Sequence, residues 1–293
     1  MRGIIAAMPT PMGASGAVDL TATSRLAGWL ADQGVDGVFV CGTTGEGLLL
    51  TDDERIAVVE TSAQAARGRI VVVAHVGAAT TAGAVALARR CESAGADALA
   101  VVTPYFFKLG TEALVAHFRA VAEAVPERPV LAYSIPALAG NAVPPDVLRA
   151  LQPVRNLVGL KDSSGDSYGL VQLADAVPAS FRLVVGADLL SLQVLAMGWA
   201  GLVSGPASAM PKPYVDLWRA GTAGIWTALS EAYGGVAAAC RLMHNGDIAL
   251  IKAVLAVRGL ISPHVRPPLQ TITEPTVGHL RAALAGLGLP LNP

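Results

Sequence analysis

Eight short apolar segments recur along this 293-residue chain, and their spacing limits the fold more than any other feature. They are Gly3–Met8, Gly37–Cys41, Ile70–His75, Ala98–Thr103, Pro129–Tyr133, Leu157–Lys161, Phe181–Val185 and Gly201–Ser204. Successive starts lie roughly 20 to 35 residues apart, the length of a strand, a loop and a crossover helix. The intervals carry helical patterns. Between Leu20 and Asp32, the residues Leu20, Thr23, Leu26, Ala27 and Leu30 share a stripe that Asp19 opens and Gly34 closes. Thr51–Ala66 starts with a capping box, Thr51 and Glu54, and puts Ile56, Val59 and Ala63 on one face. Thr81–Ser93, Thr111–Val125, Pro145–Leu151, Tyr168–Ala176 and Ser191–Met197 fill the next gaps. Eight such repeats close without an edge strand, so the expected fold is an α/β (β/α)₈ TIM barrel. An open dinucleotide-binding sheet is disfavoured, because Pro-Thr-Pro-Met follows the first strand in place of Gly-x-Gly-x-x-Gly.

About 90 residues follow the eighth segment, more than one closing helix needs. Val215–Arg219, Ile225–Met243, Ile248–Arg258 and Thr276–Leu287 read as helices, and Pro263–Pro275, with four prolines, as a fixed irregular connection. The expected organisation is a barrel over residues 1–224 and a C-terminal helical region, 225–293, packed on it.

Composition fits a parallel sheet buried on both faces. The apolar fraction is 53% and the mean hydropathy +0.52, yet no run approaches the ~20 apolar residues of a bilayer span. Pro9 and Pro11 come too early for the apolar core of a secretory signal. With 21 basic and 22 acidic residues and no basic block, neither nucleic acid nor membrane is an expected partner. Cys41, Cys91 and Cys240 are odd in number and widely spaced, which suggests small buried hydrophobes in a reducing compartment, the cytoplasm by default.

In a barrel of this kind chemistry gathers at the carboxyl ends of the strands. Lys161 is one of four lysines and alone ends a strand. A buried lysine tends to lose its proton and act as a nucleophile, although a lysine snorkelling from the barrel mouth or holding a phosphate also suits the position. Tyr133 ends strand five, as a proton donor and acceptor or as a core aromatic with a satisfied hydroxyl. Gly42-Thr43-Thr44-Gly45-Glu46 follows strand two and offers backbone N–H groups and two hydroxyls to a carboxylate; Glu46 is placed to brace the loop. The alternative is an ordinary polar turn. Asp188 follows strand seven directly and is the better substrate contact; Asp166 reads equally as a helix cap. The five histidines never pair at ligand spacing and no Cys-x-x-Cys occurs, so no metal is expected; His75, though it ends strand three, reads as structural.

Taken in order, Gly42-Thr43-Thr44-Gly45-Glu46, Val102-Thr103-Pro104-Tyr105, Tyr133-Ser134-Ile135-Pro136, Gly159-Leu160-Lys161-Asp162, Gly186-Ala187-Asp188, Ile251-Lys252-Ala253 and Arg266-Pro267-Pro268-Leu269 resemble the dihydrodipicolinate synthase/N-acetylneuraminate lyase family of pyruvate-dependent aldolases. The resemblance spans nearly the whole chain. It implies Lys161 as Schiff-base lysine, Tyr133 as proton shuttle, Thr43 as its relay, and Thr44 with its N–H as carboxylate ligand. Gly42, Leu138 and Val203 complete the implied substrate lining. It implies no metal and no organic cofactor, with a small 2-oxo acid and an aldehyde as partners and a homo-oligomer, tetramer or dimer, as the assembly.

Two positions depart from the synthase branch. Leu138 stands where an arginine grips the carboxylate of the aldehyde, a partner worth about 2–5 kcal/mol when desolvated. Phe106 stands where a second tyrosine completes the relay. The lyase branch is matched around Ile135–Gly140 but not at Thr43, Leu189 or Gly205, the last being the place of a sugar-contacting serine for which Ser204 is a neighbouring substitute. The expected reaction is reversible cleavage of a shorter 2-oxo-3-deoxy sugar acid to pyruvate and an aldehyde. The alternatives are 4-hydroxy-tetrahydrodipicolinate synthase, N-acetylneuraminate lyase, a Schiff-base sugar-acid dehydratase and a non-catalytic scaffold.

Overall fold

A computed structural model describes residues 1–286. Its eight strands are β1 (Gly3–Ala7), β2 (Gly37–Val40), β3 (Val71–His75), β4 (Ala98–Val102), β5 (Val130–Ser134), β6 (Leu157–Asp162), β7 (Arg182–Val185) and β8 (Gly201–Ser204). All are parallel, each pairs with its sequence neighbour, and β8 returns to β1 to close the barrel. Each of the eight sequence-predicted segments coincides with one of these strands, though β5 and β6 run one residue further, to Ser134 and Asp162.

The side-chain period of two sorts each strand between two cores. Ile5 and Ala7 point into the barrel with Phe39, Val73, Leu131 and Val184, while Ile4 and Ala6 point outward to the helices. Tyr133 lies on the inner face with Leu131, and its register partner on β6 is Lys161. Alternation and register therefore bring both side chains to the barrel axis.

Between successive strands lie α1 (Leu20–Asp32), α2 (Asp52–Ala66), α3 (Thr81–Ser93), α4 (Thr111–Glu123), α5 (Pro136–Ala139), α6 (Pro145–Leu151), α7 (Ser167–Asp175) and α8 (Ser191–Ala196). After β8 come α9 (Pro206–Ala209), α10 (Pro211–Ala223), α11 (Trp226–Leu242), α12 (Ile248–Val257) and α13 (Glu274–Gly286). The caps follow the sequence: Asp19 accepts from Ala22 N, and Thr51 and Glu54 form the reciprocal capping box.

Several local expectations need correction. Leu20 is 40% exposed and Ala22 takes the inward place on α1. On α2 the buried residues are Arg55, Val58, Val59, Ser62 and Ala66, while Ile56 and Ala63 are half-buried, Ile56 against the core. Arg55 turns inward because its guanidinium donates to the His75 carbonyl at 2.7 Å and the Gly77 carbonyl at 3.1 Å. The predicted Val215–Arg219 helix is the middle of the longer α10, which Pro211 starts at a position needing no N–H and Gly224 ends at φ 71°. The one-turn helices α5 and α9, each begun by a proline, carry no periodic signal at that length. The last residue of the predicted Thr276–Leu287 helix lies outside the described residues. All three cysteines are free and buried, and no described helix is long and apolar enough to cross a membrane.

Candidate active site

The strand ends surround a cavity of about 420 Å³ whose lining includes Lys161, Tyr133, Phe39, Thr43, Thr44, Asp188 and Val203. Lys161 is 4% exposed. Its Nζ stands 4.0 Å from the ring centroid of Phe39 and 3.9 Å from that of Tyr133, so two aromatic faces hold an ammonium where few charges are stable. Gly186 leaves the room beside it; a Cβ there would lie 3.5 Å from Lys161 Cε and collide with the Ser163 hydroxyl.

The Tyr133 hydroxyl lies 3.4 Å from Thr43 Oγ1, a long contact of the kind that shortens when a substrate closes the site. Burial pushes the phenol up, but the Lys161 charge and hydrogen bonding from Thr43, Lys161 and Ser163 outweigh it and hold the phenol below its usual range. A phenol so placed is easier to deprotonate and can return the proton.

The loop after β2 is compact because its residues turn sharply. Cys41 and Glu46 bracket it with left-handed backbone, φ 57° and 54°. Gly47 has to be glycine, since a Cβ would stand 1.7 Å from the Cys41 carbonyl oxygen. Thr10 Oγ1 donates to the Gly45 carbonyl at 2.7 Å and pins the loop to the end of β1. Thr43, Thr44, Gly42 and Gly45 all face the cavity.

Asp188 is buried on the opposite wall. Its Oδ2 accepts from Tyr214 at 2.7 Å, Ser204 at 2.8 Å and the Cys240 thiol at 3.6 Å, whereas Oδ1 has no partner. Burial raises the carboxyl's pKa, opposed by those donors and by Lys161. Ser204 does not line the cavity: its hydroxyl donates to Asp188 and accepts from Ala207 N. At Gly205 a side chain would press on Thr44 Oγ1 at 3.1 Å and on Ile251 at 3.0 Å. Asp166 caps α7, accepting from the N–H groups of Tyr168 and Gly169.

Leu138 is 66% exposed at the rim and also borders a second, apolar cavity of about 250 Å³. Tyr133 and Thr43 divide the two, and His75 lines the second. The Cys41 carbonyl accepts from His75 Nδ1 at 3.1 Å, and burial holds the ring neutral, well below its usual pKa. Phe106, at φ 79° and 90% exposed, borders neither cavity. Sequence reasoning missed Phe39, Tyr214 and Cys240. Alternation on β2 was a usable signal for Phe39; nothing in the sequence pattern sends α10 and α11 side chains to Asp188.

A family model, the dihydrodipicolinate synthetase family, matches residues 1–286. A 4-hydroxy-tetrahydrodipicolinate synthase of Synechococcus sp. (strain CC9605) is 35% identical, covering 97% of this chain and 94% of its own. An uncharacterized DapA-like lyase of Halobacterium salinarum is 37% identical, covering 99% and 95%. The crystal structure of YagE, a prophage protein of the dihydrodipicolinic acid synthase family from E. coli K12 in complex with pyruvate, has a TM-score of 0.93 at 27% identity and 99% coverage of both chains.

Proposed function

The chain belongs to the dihydrodipicolinate synthetase family, and from that premise we propose that it is a Schiff-base-forming, pyruvate-dependent carbon–carbon lyase with Lys161 as nucleophile. The observation that carries this is the buried Lys161 Nζ between the rings of Phe39 and Tyr133, with Thr43 Oγ1 3.4 Å from the phenol hydroxyl. The Lys161 amine adds to the C2 carbonyl of the 2-oxo acid, and loss of water leaves an iminium. Thr44 and the N–H groups of the Gly42–Gly45 loop hold the carboxylate. The iminium accepts the electron pair released when C3 loses a proton to the Tyr133–Thr43 relay, giving an enamine. C3 then attacks an aldehyde carbon, and the new alkoxide takes a proton that Tyr133 delivers and recovers through Thr43. Water hydrolyses the iminium and frees the amine; cleavage is the same sequence reversed.

For the second substrate, the named relatives favour aspartate semialdehyde. Condensation as a 4-hydroxy-tetrahydrodipicolinate synthase is thus the first reading, ahead of the sugar-acid cleavage expected from sequence. One local observation favours cleavage of a hydroxylated 2-oxo acid. Among the described residues no arginine lines the cavity, while Asp188 Oδ1 is free to accept from a substrate hydroxyl.

The test is incubation with pyruvate and borohydride, followed by intact-mass and peptide analysis. A reduced pyruvyl adduct on Lys161 is expected, and its absence, or its mapping to Lys108, Lys212 or Lys252, overturns the assignment. Comparing kcat/KM for pyruvate with aspartate semialdehyde against 2-oxo-3-deoxy-gluconate then separates the two readings. A homo-oligomer is part of the same proposal, and light scattering in solution measures it.

A further inference from the structure

Glu46 and Lys252 are both fully buried at their side chains, yet they come from opposite ends of the chain. Lys252 lies on α12 among Leu250, Ile251, Ala253, Val254 and Leu255, all buried. Its Nζ pairs with Glu46 Oε1 and donates to the His264 carbonyl at 2.8 Å. The other oxygen, Glu46 Oε2, accepts from Arg266 N at 2.7 Å. Glu46 is also the left-handed residue that turns the loop, and its N–H donates to the Thr43 carbonyl at 3.0 Å.

Stability gives a weak reason for such a pair. Taking two charges out of water is expensive, and apolar replacements of similar volume are often neutral or better. Position gives a stronger one. Glu46 stands two residues beyond Thr44, so its carboxylate lies behind the loop proposed to receive a substrate carboxylate. Unpaired in a buried setting, that charge acts over several ångströms with little screening.

We propose that Lys252 is a positioning residue for 2-oxo acid binding: it cancels the Glu46 charge behind the Thr43–Thr44 loop and ties that loop to α12. The inference rests on the reading of that loop as the carboxylate site. The charged groups facing Glu46 are Lys252 and Arg266, and the Arg266 guanidinium is itself held by Glu54 at 2.7 and 2.8 Å. One cation is therefore committed elsewhere, and Lys252 is the partner of Glu46.

The experiment measures the pyruvate concentration that half-saturates borohydride trapping, together with KM and kcat, in K252M, E46Q and the double variant E46Q/K252M. In K252M the half-saturating concentration is expected to rise at least about tenfold at pH 8 with a smaller change in kcat. E46Q is expected to bind pyruvate as well as the wild type or better, and the double variant to recover most of what K252M loses. Opposite effects of the two single variants separate charge cancellation from general damage to the fold. A loss of affinity in E46Q equal to that in K252M, or a double variant that binds no better than K252M, overturns the proposal. Should K252M not fold, E46Q decides alone. Failure of the wild type to trap pyruvate would overturn the functional reading, a result distinct from wild-type trapping with an unaltered K252M.

Discussion

Tyr133 and Lys161 are register partners on β5 and β6, and the lysine ammonium stands 3.9 Å from the centroid of the tyrosine ring. The pairing puts the proposed nucleophile and the proposed proton carrier side by side on neighbouring strands. Barrel closure leaves them facing the Gly42–Gly45 loop across one cavity.

Removing the hydroxyl should separate proton transfer from Schiff-base formation. In Tyr133→Phe the ring that faces Lys161 is kept, so borohydride trapping of pyruvate should persist near the wild-type extent. Turnover should fall by roughly 10²–10⁴-fold, the usual contribution of a positioned acid or base. Steady-state kcat alongside trapping yield checks this, and an unchanged kcat rules out the role for the phenol.

The rim of the cavity should determine which aldehyde is accepted. Leu138 reaches it with a side chain that is largely exposed, and among the described residues no arginine lines it. Leu138→Arg is expected to raise kcat/KM for aspartate semialdehyde at least about tenfold, within the range of a partly desolvated charge pair. Activity with an uncharged hydroxyaldehyde should not rise. An unchanged preference would mean that another group already meets the second carboxylate.

Acid should destabilise the fold through two buried imidazoles. His75 is held well below its usual pKa and His117 is lowered to about 4, in both cases by burial first. A base whose folded pKa is depressed takes its proton sooner in the unfolded state. Stability is therefore unaffected above about pH 7 and falls as pH drops below the unfolded value of about 6.5, by about 1.4 kcal/mol per pH unit for each group. Urea unfolding at a series of pH values from 7.5 to 5 reads the slope. His117→Gln, which keeps a polar partner for the Thr81 hydroxyl now 2.9 Å away, should remove one proton from it. A slope identical in wild type and variant would show that His117 titrates alike in both states.

Much of the molecule was legible in the sequence because it depends on local period. A strand buried on both faces reads as an apolar run, and a crossover helix reads as a stripe between two caps. Eight repeats of that unit have one economical closure. The same logic located Lys161, Tyr133, Thr43, Thr44 and Asp188, since each follows or ends a strand and strand ends converge in a closed parallel barrel. What period cannot carry is which distant side chains meet. Arg55 on α2 turns inward to the His75 and Gly77 carbonyls, and the Ser204 hydroxyl donates to Asp188. Tyr214 and Cys240 reach Asp188, and Lys252 reaches Glu46, only because α10, α11 and α12, which follow the last strand, pack back against earlier parts of the chain. The sequence by itself determined the barrel and which side chains gather at its strand ends, because both follow from residue type repeated along the chain. Tertiary structure decided the electrostatics around them, because hydrogen bonds and ion pairs depend on distances of a few ångströms between segments that no local pattern connects.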